Sequence, residues 1–367
     1  MVNYEGLLSL IDETQSMRFG LLSQQNSPTG DILHSAFKGR LACLFSPEHG
    51  WYGLAGPGEK TDDARHHLWN IRIHSLYGEH RHPTPEMLQG LDRIVIDLQD
   101  LGVRCYTYLA TLKNMLEACA EAQIPVTVLD RPIPLGGVVD GPRRDLAFSS
   151  FVAPIDVPLC HGMTPGECAT YLVCDEDLNL DLTIVKQDNW SHSTRIPWPN
   201  FMPPSPAIRN WDCAALYPAT VFTEAYPAID CDREGPLAFR VLGAPWMDPL
   251  HILHDVAGVL PSCGLGARSI RYRPAGGKYA GQIIDGILLS VEQPDAFYPV
   301  TGGTLLFDSI WRRHPEEMQQ DARPEWLDKL SGSTALREAL RDDTVNLLLR
   351  KWFDDQEAYM PRRVNLY

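Results

Sequence analysis

The feature that most constrains this chain is the alternation, through its first half, of short apolar runs with stretches of helical period. Residues 18–23, 41–45, 71–76, 93–98 and 125–129 read as strands, several of them nearly continuous apolar runs, as strands buried on both faces do. Between the last two, Leu109, Leu112, Leu116 and Cys119 or Ala120 recur at helical spacing within residues 109–122. Thr164 followed by Glu167 reads as a capping box opening a helix over residues 164–173, and residues 181–186 as a further strand. This is the βαβ pattern of a Rossmann-like, doubly wound parallel sheet of the α/β class.

At 367 residues the chain exceeds one ordinary domain. Residues 190–206 are rich in Pro, Trp and Ser, which marks a boundary or rigid connector. Beyond it, apparent strands at 267–273 and 282–292 and a helical tail over 334–358 predict a smaller α+β domain. The expected division is 1–210 for the Rossmann-like catalytic domain and 211–367 for the smaller domain, which contributes to the cleft.

Lys and Arg number 32 against 47 Asp and Glu, a formal charge of −15. Such a field repels polyphosphates and anionic membranes, so neither nucleic acid nor a membrane is an expected partner, and an anionic substrate would need a local arginine. No apolar run reaches the length of a membrane span, and residues 1–20 carry Glu5, Asp12 and Glu13 without a signal-peptide core. Nine cysteines with no Cys-x-x-Cys pair fit a reducing, cytoplasmic compartment.

The polar residues collect after strands. Ser46-Pro47-Glu48-His49-Gly50 follows residues 41–45, Gln99-Asp100 through Tyr108 follows 93–98, and Asp130-Arg131-Pro132 follows 125–129. Ligands of open parallel sheets bind outside the carboxyl ends of the strands, so these turns are expected to converge on one crevice. They offer Glu48, Asp97, Asp100 and Asp130 as acids, His49 as a titratable neighbour, Arg104 and Arg131 as anion forks, and Tyr106 and Tyr108 as flat surfaces. Glycosidic cleavage uses such a set, because a carboxyl group must hand a proton to the leaving oxygen. Asp97 and Asp130 read equally well as caps or strand-end ligands of backbone N–H groups.

Other patterns carry less. Gly56-Pro57-Gly58 lacks the rest of a dinucleotide loop and reads as a turn. His66, His67, His74, His80 and His82 show no His-Glu-x-x-His spacing and read as a solvated surface, so neither a metal nor a cofactor is expected. Asn189-Trp190-Ser191 is a glycosylation triplet without meaning in a cytoplasmic protein.

In order along the chain, Phe45 to Gly50, Ser75-Leu76-Tyr77-Gly78, Asp97 to Tyr108, Leu129 to Pro132, Gly136-Gly137, Gly141-Pro142, His161-Gly162-Met163-Thr164, Pro203-Pro204-Ser205-Pro206, Leu216-Tyr217-Pro218 and Gly243 to Trp246 resemble the blocks of the exo-β-N-acetylmuramidase (NamZ-like) family. The resemblance implies a Rossmann-like domain followed by a smaller one, and release of terminal N-acetylmuramic acid from peptidoglycan fragments. It implies Glu48 as the catalytic acid, and directs attention to His161, Ser205 and Glu224 in blocks expected to face the cleft. A glycosidase of different sugar specificity and a non-catalytic saccharide-binding paralogue are the alternatives.

Two departures stand out. Arg131-Pro132-Ile133-Pro134 has Ile133 where the family has asparagine, and Ile229 to Glu234 replaces a stretch in which relatives carry a glycine-flanked arginine. Poorer carboxylate recognition is expected there, with only modest preference for muramic over glucosamine side chains.

Overall fold

In the computed structural model, residues 8, 11, 16–24, 29–37, 39–188, 190–194 and 203–367 are described. Asn189 of the glycosylation triplet and residues 195–202 of the Pro- and Trp-rich stretch lie outside them.

Seven strands form the main sheet: β1 (Phe19–Ser23), β2 (Leu41–Ser46), β3 (Ala64–Arg65), β4 (Arg72–Ser75), β5 (Arg93–Asp97), β6 (Val126–Leu129) and, after the short pair β7 (Val139–Asp140) and β8 (Cys160–His161), β9 (Leu182–Val185). Their order is β3-β4-β2-β1-β5-β6-β9, parallel throughout except for the antiparallel edge strand β3. All six expected strands are present, each within a few residues of its expected ends. Every residue of β1, β5 and β6 is buried, the two-sided burial that their predominantly apolar character calls for.

From β1 the chain runs outward through β2 to β4, then crosses to the other side of β1 to begin β5. That reversal is the topological switch point. The helix Tyr108–Ala122 lays Leu109, Leu112, Met115, Leu116 and Cys119 into the core and stops at Gln123, whose φ of 54° leaves the helical region. The helix Pro165–Asp175 starts on the expected capping box, with Thr164 and Glu167 exchanging side-chain and backbone hydrogen bonds.

The second, smaller domain pairs β10 (Val241–Ala244), β11 (Leu265–Tyr272) and β12 (Ile284–Val291) in an antiparallel sheet of order β10-β12-β11, with helices packed around it. The helical tail is two helices, Ala335–Arg341 and Val345–Tyr359, because the chain turns at Asp343 with φ 52°. Polar contacts lock the halves together. Asp140 accepts the N–H groups of Val300 and Thr301 and so caps the helix Pro299–Arg313, and Tyr359 donates to the His161 carbonyl. No helix among the described residues is long and apolar enough to cross a membrane.

Candidate active site

A cleft of about 700 Å³ opens over the carboxyl ends of β2, β4 and β5, and the second domain supplies its opposite wall. Its floor begins at the turn after β2. His49 and Gly50, at φ 72° and 71°, are two successive left-handed residues, and the Gly50 N–H returns to the Pro47 carbonyl. A non-glycine residue in that region is strained, and His49 is held there by its ring Nδ1, 2.9 Å from the Ala55 carbonyl oxygen. The reversal leaves Glu48 facing the cleft, only 8% exposed.

Both oxygens of Glu48 are held. The Gly58 N–H donates to Oε1 at 2.7 Å, and the Thr107 hydroxyl donates to Oε2 at 2.6 Å. A hydroxyl can donate to a carboxylate or accept from a carboxylic acid, so Oε2 can release and regain a proton without losing its partner. Tyr77, after β4, lines the cleft with Glu48; burial first, and then the glutamate's charge, push its phenol up to about 12.

The opposite wall comes from the second domain. Glu224 follows the helix Trp211–Thr220 and pairs with Arg233 at 3.1 Å. Burial raises its pKa, Arg233 opposes, and Glu48 raises it further. Glu224 therefore senses the charge of Glu48 across the cleft, as a carboxyl group beside a like charge does. Tyr106, Phe239 and Trp326 supply flat apolar walls, and Ser205 a buried hydroxyl.

Of the residues expected from sequence, the structure brings Glu48, His49, Tyr106, Ser205 and Glu224 together in this cleft. Asp97, Asp100, Arg104, Tyr108, Asp130, Arg131 and His161 lie outside its lining, in the protein interior. Asp97 and Arg131 form a buried ion pair, with Nε–Oδ1 at 2.5 Å and Nη2–Oδ2 at 3.0 Å. Asp130 accepts from the Arg131 and Gly166 N–H groups and from the Thr164 and Tyr367 hydroxyls, the strand-end and capping role left open above. Arg104 is not an anion fork at the cleft: its guanidinium is fully buried and donates to four carbonyls, those of Pro142, Val157, Leu330 and Ser331. The Tyr108 hydroxyl donates to the Pro204 carbonyl at 2.7 Å. His161 is neutral, pushed down to about 3 by burial, and its Nδ1 accepts the Met163 N–H.

Asp100 shows what burial does at such a strand end. Its carboxylate accepts the Gly102 N–H at 2.7 Å, yet burial outweighs that bond and pushes the group up to about 7. A carboxyl whose folded pKa exceeds its unfolded value binds its proton more tightly when folded. Its stabilising contribution is complete below the unfolded pKa of about 4 and is lost as pH rises through about 7. Asp100→Asn is therefore expected to flatten the fall in urea stability between about pH 4 and 7, by on the order of 3 kcal/mol. An unchanged pH slope in the variant would remove Asp100 from that role.

Sequence reasoning missed Thr107 and Gly58 as partners of Glu48, Tyr77 in the same lining, and the place of Arg233, Arg323 and Trp326 on the opposite wall. Gly58 lies in the Gly-x-Gly read as a turn, which it is; its N–H is what matters. Arg233 lies in the stretch that lacks the glycine-flanked arginine expected from relatives, and its guanidinium is paired with Glu224. The Ile133 departure falls elsewhere: the side chain is fully buried, and a Cβ on Gly102 would stand 2.6 Å from it, so it packs under the β5 turn, not in the cleft. Among the clustered histidines, His66 stacks on Trp69 at 3.8 Å and His67 meets the Tyr52 hydroxyl at 3.0 Å.

Comparison with known proteins agrees with this architecture. The family model for the N-terminal part of exo-beta-N-acetylmuramidase NamZ matches residues 15–212, and that for its C-terminal part matches residues 215–367. The peptidoglycan beta-N-acetylmuramidase NamZ of Bacillus subtilis is 33% identical over 320 residues, 86% of this chain and 76% of that protein. A crystal structure of a DUF1343 family protein from Bacteroides fragilis superposes with a TM-score of 0.88 at 26% identity, covering 100% of this chain and 98% of its own. A second from the same organism, at 23% identity over 99% and 97% of the two chains, shares the fold with a TM-score of 0.79. The chain belongs to the exo-β-N-acetylmuramidase NamZ family of glycoside hydrolases.

Proposed function

We propose that this enzyme releases terminal N-acetylmuramic acid from small, soluble saccharides derived from peptidoglycan, with Glu48 as the general acid and Glu224 as the second carboxyl group of the cleft. The observation that carries the reading is the setting of Glu48. It is a nearly buried carboxyl fixed at both oxygens, one by a backbone N–H and one by a hydroxyl able to follow its proton, and it shares the cleft with a second, partly buried glutamate. A module that only bound sugar would have no use for that arrangement. The similarity to the Bacillus subtilis enzyme supports muramic acid as the sugar.

All nine cysteines are free thiols, seven of them buried, which supports work in the reducing cytoplasm on fragments recovered from wall turnover. A short soluble glycoside is accordingly expected to be hydrolysed far faster than an intact sacculus. Faster release of sugar from sacculi than from a disaccharide would overturn that part of the reading.

Chromogenic β-N-acetylmuraminide and β-N-acetylglucosaminide, assayed side by side, test the sugar. Turnover of the muraminide at least equal to that of the glucosaminide is the expected result. Hydrolysis of the glucosaminide alone would assign another specificity, and hydrolysis of neither would point to binding without cleavage.

A further inference from the structure

Among the described residues, three arginines line the cleft: Arg209, Arg233 and Arg323. Two are already committed to the protein. Arg209 spends its guanidinium on the carbonyls of Pro206, Gly235 and Glu234, at 3.1, 2.9 and 2.7 Å. Arg233 is paired with Glu224 at 3.1 Å and lies over the Phe239 ring, 5.6 Å from its centroid. The guanidinium of Arg323 makes no hydrogen bond or ion pair among the described residues, and the side chain is exposed. Only its backbone is fixed, by the N–H donated to the Ala225 carbonyl at 2.8 Å, next in sequence to Glu224.

Its position on the chain adds to this. Arg323 stands immediately before the helix Pro324–Ser331, and Arg323, Trp326 and Leu330 all line the cleft, the spacing of one helical face. A cation therefore sits one turn from an indole platform, on an element anchored beside the second carboxyl group. A protein of formal charge −15 gathers no anions by its overall field, so any anionic substituent held here must be held locally. Arginine is suited to that task because its planar fork meets a carboxylate with two parallel hydrogen bonds.

We infer that Arg323 is the specificity-determining residue that grips a carboxylate on the bound sugar, while Trp326 packs against the sugar ring. The assignment rests on the proposed function, in which the sugar carries a lactyl ether with a free carboxylate. It replaces the expectation of weak discrimination drawn from the Ile229 to Glu234 segment, since the reading cation comes from a different part of the chain.

The test compares wild type, Arg323→Ala and Arg323→Lys on the two chromogenic glycosides, and by calorimetry on free N-acetylmuramic acid and N-acetylglucosamine. Arg323→Ala should raise KM for the muraminide and Kd for N-acetylmuramic acid by roughly ten- to a hundredfold, as loss of a charged hydrogen-bond pair does. The values for glucosaminide, and kcat on either substrate, should stay within about twofold, and lysine should recover part of the loss. Equal loss on both sugars, or no change on the muramic compounds, would overturn the inference. If wild type hydrolyses neither glycoside, the glycosidase reading fails by itself, and the two Kd ratios still decide the role of Arg323.

Discussion

Replacing Glu48 by glutamine is expected to lower kcat on a chromogenic muraminide by roughly 10²–10⁴-fold, the usual worth of a positioned general acid. The amide keeps the shape of the side chain, and its carbonyl can still accept the Gly58 N–H now bound at 2.7 Å, so the turn after β2 has no reason to rearrange. What it cannot do is give a proton to a leaving oxygen. The thermal midpoint and the Kd for free sugar should therefore remain near wild type. A fall of less than tenfold would remove Glu48 from the acid's role and leave Glu224, whose pKa burial raises, as the group to examine.

The second large effect concerns Arg104, and it is on stability. Its two terminal nitrogens donate to four carbonyls, two from the first domain and two from the end of the helix Pro324–Ser331. Lysine offers a single ammonium that cannot span those positions, and each buried carbonyl left without a donor costs about 1–3 kcal/mol. Arg104→Lys should thus destabilise the fold by about 2–5 kcal/mol in urea unfolding. Activity per folded molecule should fall equally on muraminide and glucosaminide. A selective loss on the muraminide with unchanged stability would instead place Arg104 in contact with substrate.

These two residues show what could be seen in the amino-acid sequence. The sheet was legible because strands buried on both faces are mostly apolar, and residues 41–45, 93–98 and 125–129 are, with polar exceptions only at Arg93, Asp97 and Thr127. The helix at Pro165 was legible because its cap is a local exchange between Thr164 and Glu167. Glu48 followed from its place after a strand. The same rule misled at Asp97, Asp100, Asp130 and Arg131, for a definite reason. Polar residues at strand ends serve either a ligand or the protein's own backbone, and only the path of distant segments decides which. Tyr367 and Thr164 close over Asp130, and Leu330 and Ser331 over Arg104, separations of 237, 34, 226 and 227 residues. The opposite wall of the cleft was illegible for the same reason. Arg233, Arg323 and Trp326 belong to no strand-end pattern, and they reach Glu48 only through the docking of the second domain.

Arg323 also bears on how the cleft would tell one amino sugar from another. The Ile133 departure lies in the core, and the altered stretch from Ile229 still delivers Arg233, though bound to Glu224. Arg233 is thus engaged by Glu224, whereas the Arg323 guanidinium at the same cleft has no hydrogen-bond or ion-pair partner among the described residues.

The reaction proposed for the Glu48 cleft is release of a terminal muramic acid from a short saccharide. Mass spectrometry of the products formed from a disaccharide with N-acetylmuramic acid at its non-reducing end tests this most directly. Equal amounts of free N-acetylmuramic acid and N-acetylglucosamine are expected from the wild-type enzyme, and intact disaccharide from Glu48→Gln. Intact disaccharide from both, or the same products from both at the same rate, would contradict it.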